Sequence, residues 1–77
     1  MTAVELMSLG LTPSEARVGE LVLKGWTNRQ VATALFITEK TSKFHCTNIF
    51  KKFQVKSRSQ FIVKFLQPQP HSVIANN

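Results

Sequence analysis

Between positions 40 and 51 the chain sets Lys40, Lys43, Phe44, Thr47 and Lys51 on one side of a helix turning at about 100° per residue. Ammonium groups, a hydroxyl and an aromatic ring on one face can meet phosphate oxygens and base edges. In a major groove Lys43 can donate to guanine O6 or N7, Thr47 can bond several bases, and Phe44 can touch a thymine methyl. Ser42, His45, Cys46, Ile49 and Phe53 fall on the opposite side and read as core. An ordinary solvated face is the competing account. Three cations without an acid on that stripe, on a helix that follows a short helix and a tight turn, favour DNA.

Other chemistries lack their residues. Cys46 is the only cysteine, which excludes an internal disulfide, and two isolated histidines add no metal-ligand cluster. No metal or cofactor is expected. There is no carboxylate pair, nucleophile with a base, or glycine-rich phosphate loop, so the chain does not read as an enzyme and no catalytic residue is assigned. Cys46 reads as a small buried hydrophobe rather than a redox switch.

The charge is divided unevenly along the 77 residues. The net charge is +6, yet all four acids (Glu5, Glu15, Glu20, Glu39) lie in the first 39 positions. From Lys40 onward come Lys40, Lys43, Lys51, Lys52, Lys56, Arg58 and Lys64, with no acid among them. A basic half of this kind points to an anionic partner. Apolar residues at 43% suffice for a folded core, though a small one. No apolar run approaches the roughly 18 residues of a membrane span, and residues 1–10 lack a basic stretch followed by an apolar one, so a soluble, cytoplasmic protein with no membrane partner is expected.

The elements that position the stripe announce themselves by their caps. Thr12-Pro13-Ser14-Glu15 opens a helix expected over 13–24, which Gly25 ends. Thr27-Asn28-Arg29-Gln30 opens a second, 28–35. Phe36-Ile37-Thr38 is a tight connection, and Thr38 caps a third helix over 39–53, with Glu39 favourable at its positive end. Ser57-Arg58-Ser59-Gln60 starts a fourth, 58–66, ahead of Pro68. The expected fold is all-α, a small four-helix domain over 11–66. Residues 1–10 are expected to be an arm or short helical turn, and 67–77 a flexible tail.

The run Leu11-Thr12-Pro13, Glu15, Gly25, Thr27-Asn28, Val31-Ala32, Leu35 through Thr41, Lys43, His45, Asn48-Ile49, Lys52-Phe53, Val55 and Ser57-Arg58 resembles the LuxR/GerE-type helix-turn-helix domain, similar also to the C-terminal domains of the NarL/FixJ type. The length is that of the stand-alone GerE type, and with Met1 ahead of a plausible lead-in a natural short chain is expected. The resemblance implies a bacterial DNA-binding regulator, nucleoid-associated, with 39–53 as recognition helix. It implies base contacts at Lys43, Phe44 and Thr47. Asn28, Thr38, Thr41, Lys51 and Arg58 match places that meet the phosphate backbone, and Lys40 is assigned with them. His45 matches a histidine that packs within the fold.

Some positions depart from that pattern. Ser42 replaces a buried valine and needs a partner, expected to be a carbonyl one turn back. Gly19 replaces a large aliphatic residue, leaving a groove or letting another helix approach. Gln30 replaces a glutamate and keeps the cap. Ser14 and Ala16 replace residues that are commonly basic, and Phe44 with Cys46 makes the recognition helix unusually apolar.

The last helix carries Phe61, Ile62 and Phe65 on one face, more apolar surface than so small a domain easily buries. A homodimer through those residues, reading a pseudo-palindrome, is expected. Sequence-specific binding of double-stranded DNA is the leading reading. The alternative is a protein-interaction module that docks on another regulator or on RNA polymerase, a reading that Gly19, Phe44 and Cys46 would favour. RNA fits helix readers poorly, and most of the phenylalanines lie at core spacing rather than as a single-strand stacking platform. No sensory domain is expected beside it, so control would come from expression level, dimerisation or a partner.

Overall fold

In the computed structural model, which describes residues 1–65, the chain forms α1 (Ala3–Ser8), α2 (Pro13–Leu23), α3 (Asn28–Leu35), α4 (Glu39–Lys52) and α5 (Arg58–Phe65). The four expected helices are present and the described residues are otherwise turns and short connections. The expected tail 67–77, and position 66 of the last helix, lie outside the described residues. No helix among those described is long and apolar enough to cross a membrane.

Of the arm or short helical turn expected over 1–10, the helical alternative is the outcome, as a fifth helix of six residues. Its start is a full capping box: the Glu5 amide donates to Thr2 Oγ1 at 3.2 Å and the Thr2 amide donates to Glu5 Oε1 at 2.7 Å. Six residues cannot sustain a helix on propensity alone. Packing holds this one, because Leu6 is fully buried against α2 and the Ala3 amide donates to Glu20 Oε1 at 3.1 Å.

Gly19 makes that packing possible. A Cβ there would stand 3.2 Å from Leu6 Cδ1 and 3.6 Å from both Leu11 Cδ1 and the tip of Phe61. Of the two expectations for this residue, close approach is the outcome. Gly19 is a buried floor, so it offers no open groove to a partner protein.

Boxes at Thr12/Glu15 and Thr27/Gln30 form as expected. The last is half formed: the Gln60 amide donates to Ser57 Oγ, while Gln60 Oε1 accepts from Lys56. Four helices then close alike, with an amide reaching five residues back (Leu11 to Leu6, Trp26 to Leu21, Ile37 to Ala32, Val55 to Phe50) past a left-handed residue. Those residues are Gly10, Gly25, Phe36 and Gln54.

The core gathers Leu6, Val18, Val22, Val31, Ile49 and Phe61, all at 0–1% exposure. Phe61 is its wedge, with ring centroids 5.3–5.9 Å from those of Phe50, Phe53 and Phe65. Trp26 packs against this core from the corner after α2.

Candidate nucleic-acid interface

Helix α4 is held by its inner face. Ser42, Cys46 and Ile49 are buried, and α2 and α3 pack on that side. The outer face carries Lys40, Lys43, Phe44, Thr47 and Lys51, all exposed, with the Phe44 ring 62% open to solvent. The wheel drawn from the sequence is therefore the one the fold adopts. Helix α3, the turn at Phe36–Thr38 and α4 form the helix-turn-helix.

Hydrogen bonding limits what each outer side chain can do. Thr47 Oγ1 donates to the Lys43 carbonyl at 3.1 Å, which spends its proton and leaves its lone pairs as acceptors. Lys43 Nζ lies 4.0 Å from Glu39 Oε2, one turn earlier, in a pair open to solvent and weak. Thr38 Oγ1 accepts from the Thr41 amide and donates to Thr41 Oγ1, so its hydroxyl is committed to the cap. The Thr41 hydroxyl keeps its own proton for a donor role.

A second device sets the angle of α4. Lys52 Nζ donates to Glu15 Oε1 at 2.7 Å and to the Gly10 carbonyl at 3.3 Å, pinning the last turn of α4 to the start of α2. Glu15 is 5% exposed. Burial pushes its carboxyl upward, but the Lys52 ammonium and the Thr12 amide more than reverse this, leaving it below the usual glutamate range. Lys52 was missed as an anchor from sequence. It stands 37 positions from Glu15, and only the lone acid at the start of α2 hinted at the pairing.

Three expectations need correction. The Ser42 hydroxyl does not bond a carbonyl one turn back; it donates to Asn28 Oδ1 at 3.0 Å. The thiol of Cys46, 4% exposed, reaches the same oxygen at 3.4 Å, so this residue is more than a small hydrophobe. Arg58 is half-buried with its guanidinium beside the Cys46 thiol and with Nη2 buried and unpartnered, an inward posture unlike that of a free phosphate contact. Burial raises the Cys46 pKa, against the pull of Arg58, so the thiol is neutral and unreactive at neutral pH.

The expected dimer face is the third correction. Phe61 is fully buried in its own core, and Phe65 packs edge-on to Phe53 at 4.9 Å, half-buried like Ile62. The open apolar surface of α5 lies instead around Val63, 60% exposed, in a shallow groove of about 390 Å³ with Val55, Ser59, Gln60 and Lys64. His45 is half-buried over a small recess lined by Ser14, Arg17, Val18, Leu35 and Ile37, its Nδ1 without a partner among the described residues.

Comparison with known proteins gives the family. The chain is 42% identical over 57 residues to the spore germination protein GerE of Bacillus subtilis (strain 168), covering 74% of this chain and 77% of that protein. It is 40% identical to the transcriptional regulatory protein DegU of Brevibacillus brevis and 39% identical to the response regulator protein VraR of Staphylococcus aureus (strain Mu3 / ATCC 700698). Each of those matches again covers 74% of this chain, but only 24% and 27% of the relative. No solved structure matches the chain. The family model of the bacterial regulatory proteins of the luxR family matches residues 9–65, nearly all that the structure describes, and the chain belongs to that family.

Proposed function

We propose that this chain is a transcription regulator that binds double-stranded DNA with sequence preference, with α4 in the major groove. One observation carries the reading. The outer face of α4 presents Lys40, Lys43, Phe44, Thr47 and Lys51 to solvent while the inner face is fixed in the core. Lys43, Phe44 and Thr47 read bases, and Thr47 accepts from adenine N6 or cytosine N4 because its proton is spent on the helix. Lys40, Lys51, Thr41 and Asn28 hold the phosphates, with the free amides at the start of α3. The likeness to DegU, a transcriptional regulatory protein, and to VraR, a response regulator, supports a regulator.

The acting species is a homodimer on a pseudo-palindrome with half-sites about one helical turn apart, in the bacterial cytoplasm on the nucleoid. The Val63 groove of α5, rather than Phe61, faces the second copy. RNA polymerase or a second regulator is a further partner once the chain is on DNA. The test is selection from random duplexes across a salt series, for the wild type and for Lys43→Ala/Thr47→Ala. The wild type recovers an inverted repeat with affinity falling steeply with salt, and the double variant keeps weak binding without selection. No duplex binding by folded wild-type protein at low salt sinks the reading.

A further inference from the structure

Two buried donors converge on one atom at the junction of the helix-turn-helix. Ser42 Oγ donates to Asn28 Oδ1 at 3.0 Å and Cys46 Sγ approaches the same oxygen at 3.4 Å. Ser42 is fully buried and Cys46 nearly so, whereas Asn28 is half-buried at the first position of α3. A serine inside a helix ordinarily bonds back to its own backbone. Thr47 does so on this same helix, donating to the Lys43 carbonyl, whereas the Ser42 hydroxyl reaches across to α3.

The amide group of Asn28 is planar, so holding its oxygen fixes its NH2 as well. With Oδ1 turned inward, Nδ2 occupies the other branch. It has no hydrogen-bond partner among the described residues. Nor is it one of the buried unpartnered atoms, which are His45 Nδ1 and Arg58 Nη2. Nδ2 is therefore reached by water, at a helix N-terminus where the Asn28 and Arg29 amides have no hydrogen-bond partner among the described residues.

We propose that Ser42, assisted by Cys46, is a positioning residue for DNA binding: it locks Asn28 so that Nδ2 is presented to a backbone phosphate. This rests on the duplex-binding reading above. An asparagine without that lock samples several rotamers in water and loses part of the contact to ordering on binding. Pre-ordering costs nothing further when the duplex arrives. Asn28 is neutral, so its contact adds affinity without releasing a counterion, and the salt dependence of binding is unaffected by it.

Threonine and valine have one shape and differ by the hydroxyl, so Ser42→Thr and Ser42→Val impose the same added bulk. Binding is read on a mixed-sequence duplex about three helical turns long, together with melting of each variant. Ser42→Thr binds within about twofold of the wild type, and Ser42→Val about fivefold more weakly, the worth of one ordinary hydrogen bond. The slope of affinity against salt is unchanged, and Ser42→Val melts no lower than Ser42→Thr. In an Asn28→Ala background the two variants bind alike.

Equal affinities for Ser42→Val and Ser42→Thr in the wild-type background overturn the proposal, as does a gap between them that persists without Asn28. Should either variant fail to fold, the wild type decides by nuclear magnetic resonance. The side-chain NH2 resonances of Asn28 shift on adding the duplex, and resonances that stay in place overturn the proposal. Absence of any duplex binding by the wild type overturns this inference and the functional reading together, whereas the first two outcomes, with wild-type binding intact, overturn this inference alone.

Discussion

The scaffold of α1, α2 and α5 and the seat of α4 on α2 and α3 are built from different forces. The scaffold is apolar: Leu6 drops onto Gly19, and Phe61 fills the centre against Phe50, Phe53 and Phe65. The seat also buries Val31 and Ile49, but its polar contacts set its geometry: Ser42 and Cys46 on Asn28, and Lys52 on Glu15. Apolar burial is indifferent to pH and nearly non-directional. Hydrogen bonds and ion pairs fix angles and respond to titration. The scaffold thus supplies stability, and the seat supplies the orientation of the face that would meet DNA.

The largest effect expected from breaking this contrast is on the scaffold side. Phe61→Ala removes a fully buried ring from the centre of the core and costs roughly 3–5 kcal/mol. That is comparable with the whole stability of so small a domain. The variant is expected to be largely unfolded by circular dichroism at room temperature. A variant that keeps its helices but loses only dimerisation would place Phe61 at an interface after all.

Next comes the ion pair that pins α4. Removing the ammonium in Lys52→Ala leaves Glu15 buried without its partner. The cost is about 1–2 kcal/mol, reduced by the partial exposure of Lys52 to water. The pH dependence gives the sharper reading. Glu15 titrates below its unfolded value in the folded chain, so its contribution is full at neutral pH and is lost as pH falls through the folded value. Glu15→Gln keeps an oxygen for the Thr12 amide but has no charge to lose. Urea midpoints should therefore differ most between wild type and Glu15→Gln at neutral pH and converge in acid. A constant gap at every pH would mean that the pair contributes by shape alone.

How much of this was legible in the sequence follows the same division. Caps at Thr12, Thr27 and Thr38 and the stop at Gly25 are local signals of residue type, and each marks a real helix end. The outer stripe of α4 was legible for the same reason, since helical period alone sorts Lys43, Phe44 and Thr47 from Ser42 and Cys46. The Thr2/Glu5 box was as readable as the others, but a six-residue helix is too short to show a period, so arm and helical turn both stayed open. Long-range partners were not legible. Nothing about Ser42 names Asn28, 14 positions away, and a helical wheel cannot tell a phenylalanine in its own core from one awaiting a second copy, as Phe61 shows.

The turn between α3 and α4 gives the smallest expected effect and the closest test of where scaffold gives way to interface. α1 and α2 close through glycines, whereas α3 closes through Phe36 at φ +58°, with its ring 95% exposed. An L-residue with a Cβ in that conformation costs about 1–2 kcal/mol relative to glycine, part of which glycine returns through a freer unfolded chain. Because the ring touches so little, Phe36→Gly should stabilise the domain by about 1 kcal/mol, raising Tm by roughly 4–8 °C in a calorimetric melt. Strain kept where glycine would serve is a mark of a residue retained for contact. If Tm rises and duplex affinity is untouched, Phe36 is only a costly cap. If Tm rises while affinity falls, the turn belongs with α4 to the surface that meets DNA. A fall in Tm would mean that the ring packs in solution and that the polar seat of α4 has an apolar component at its turn.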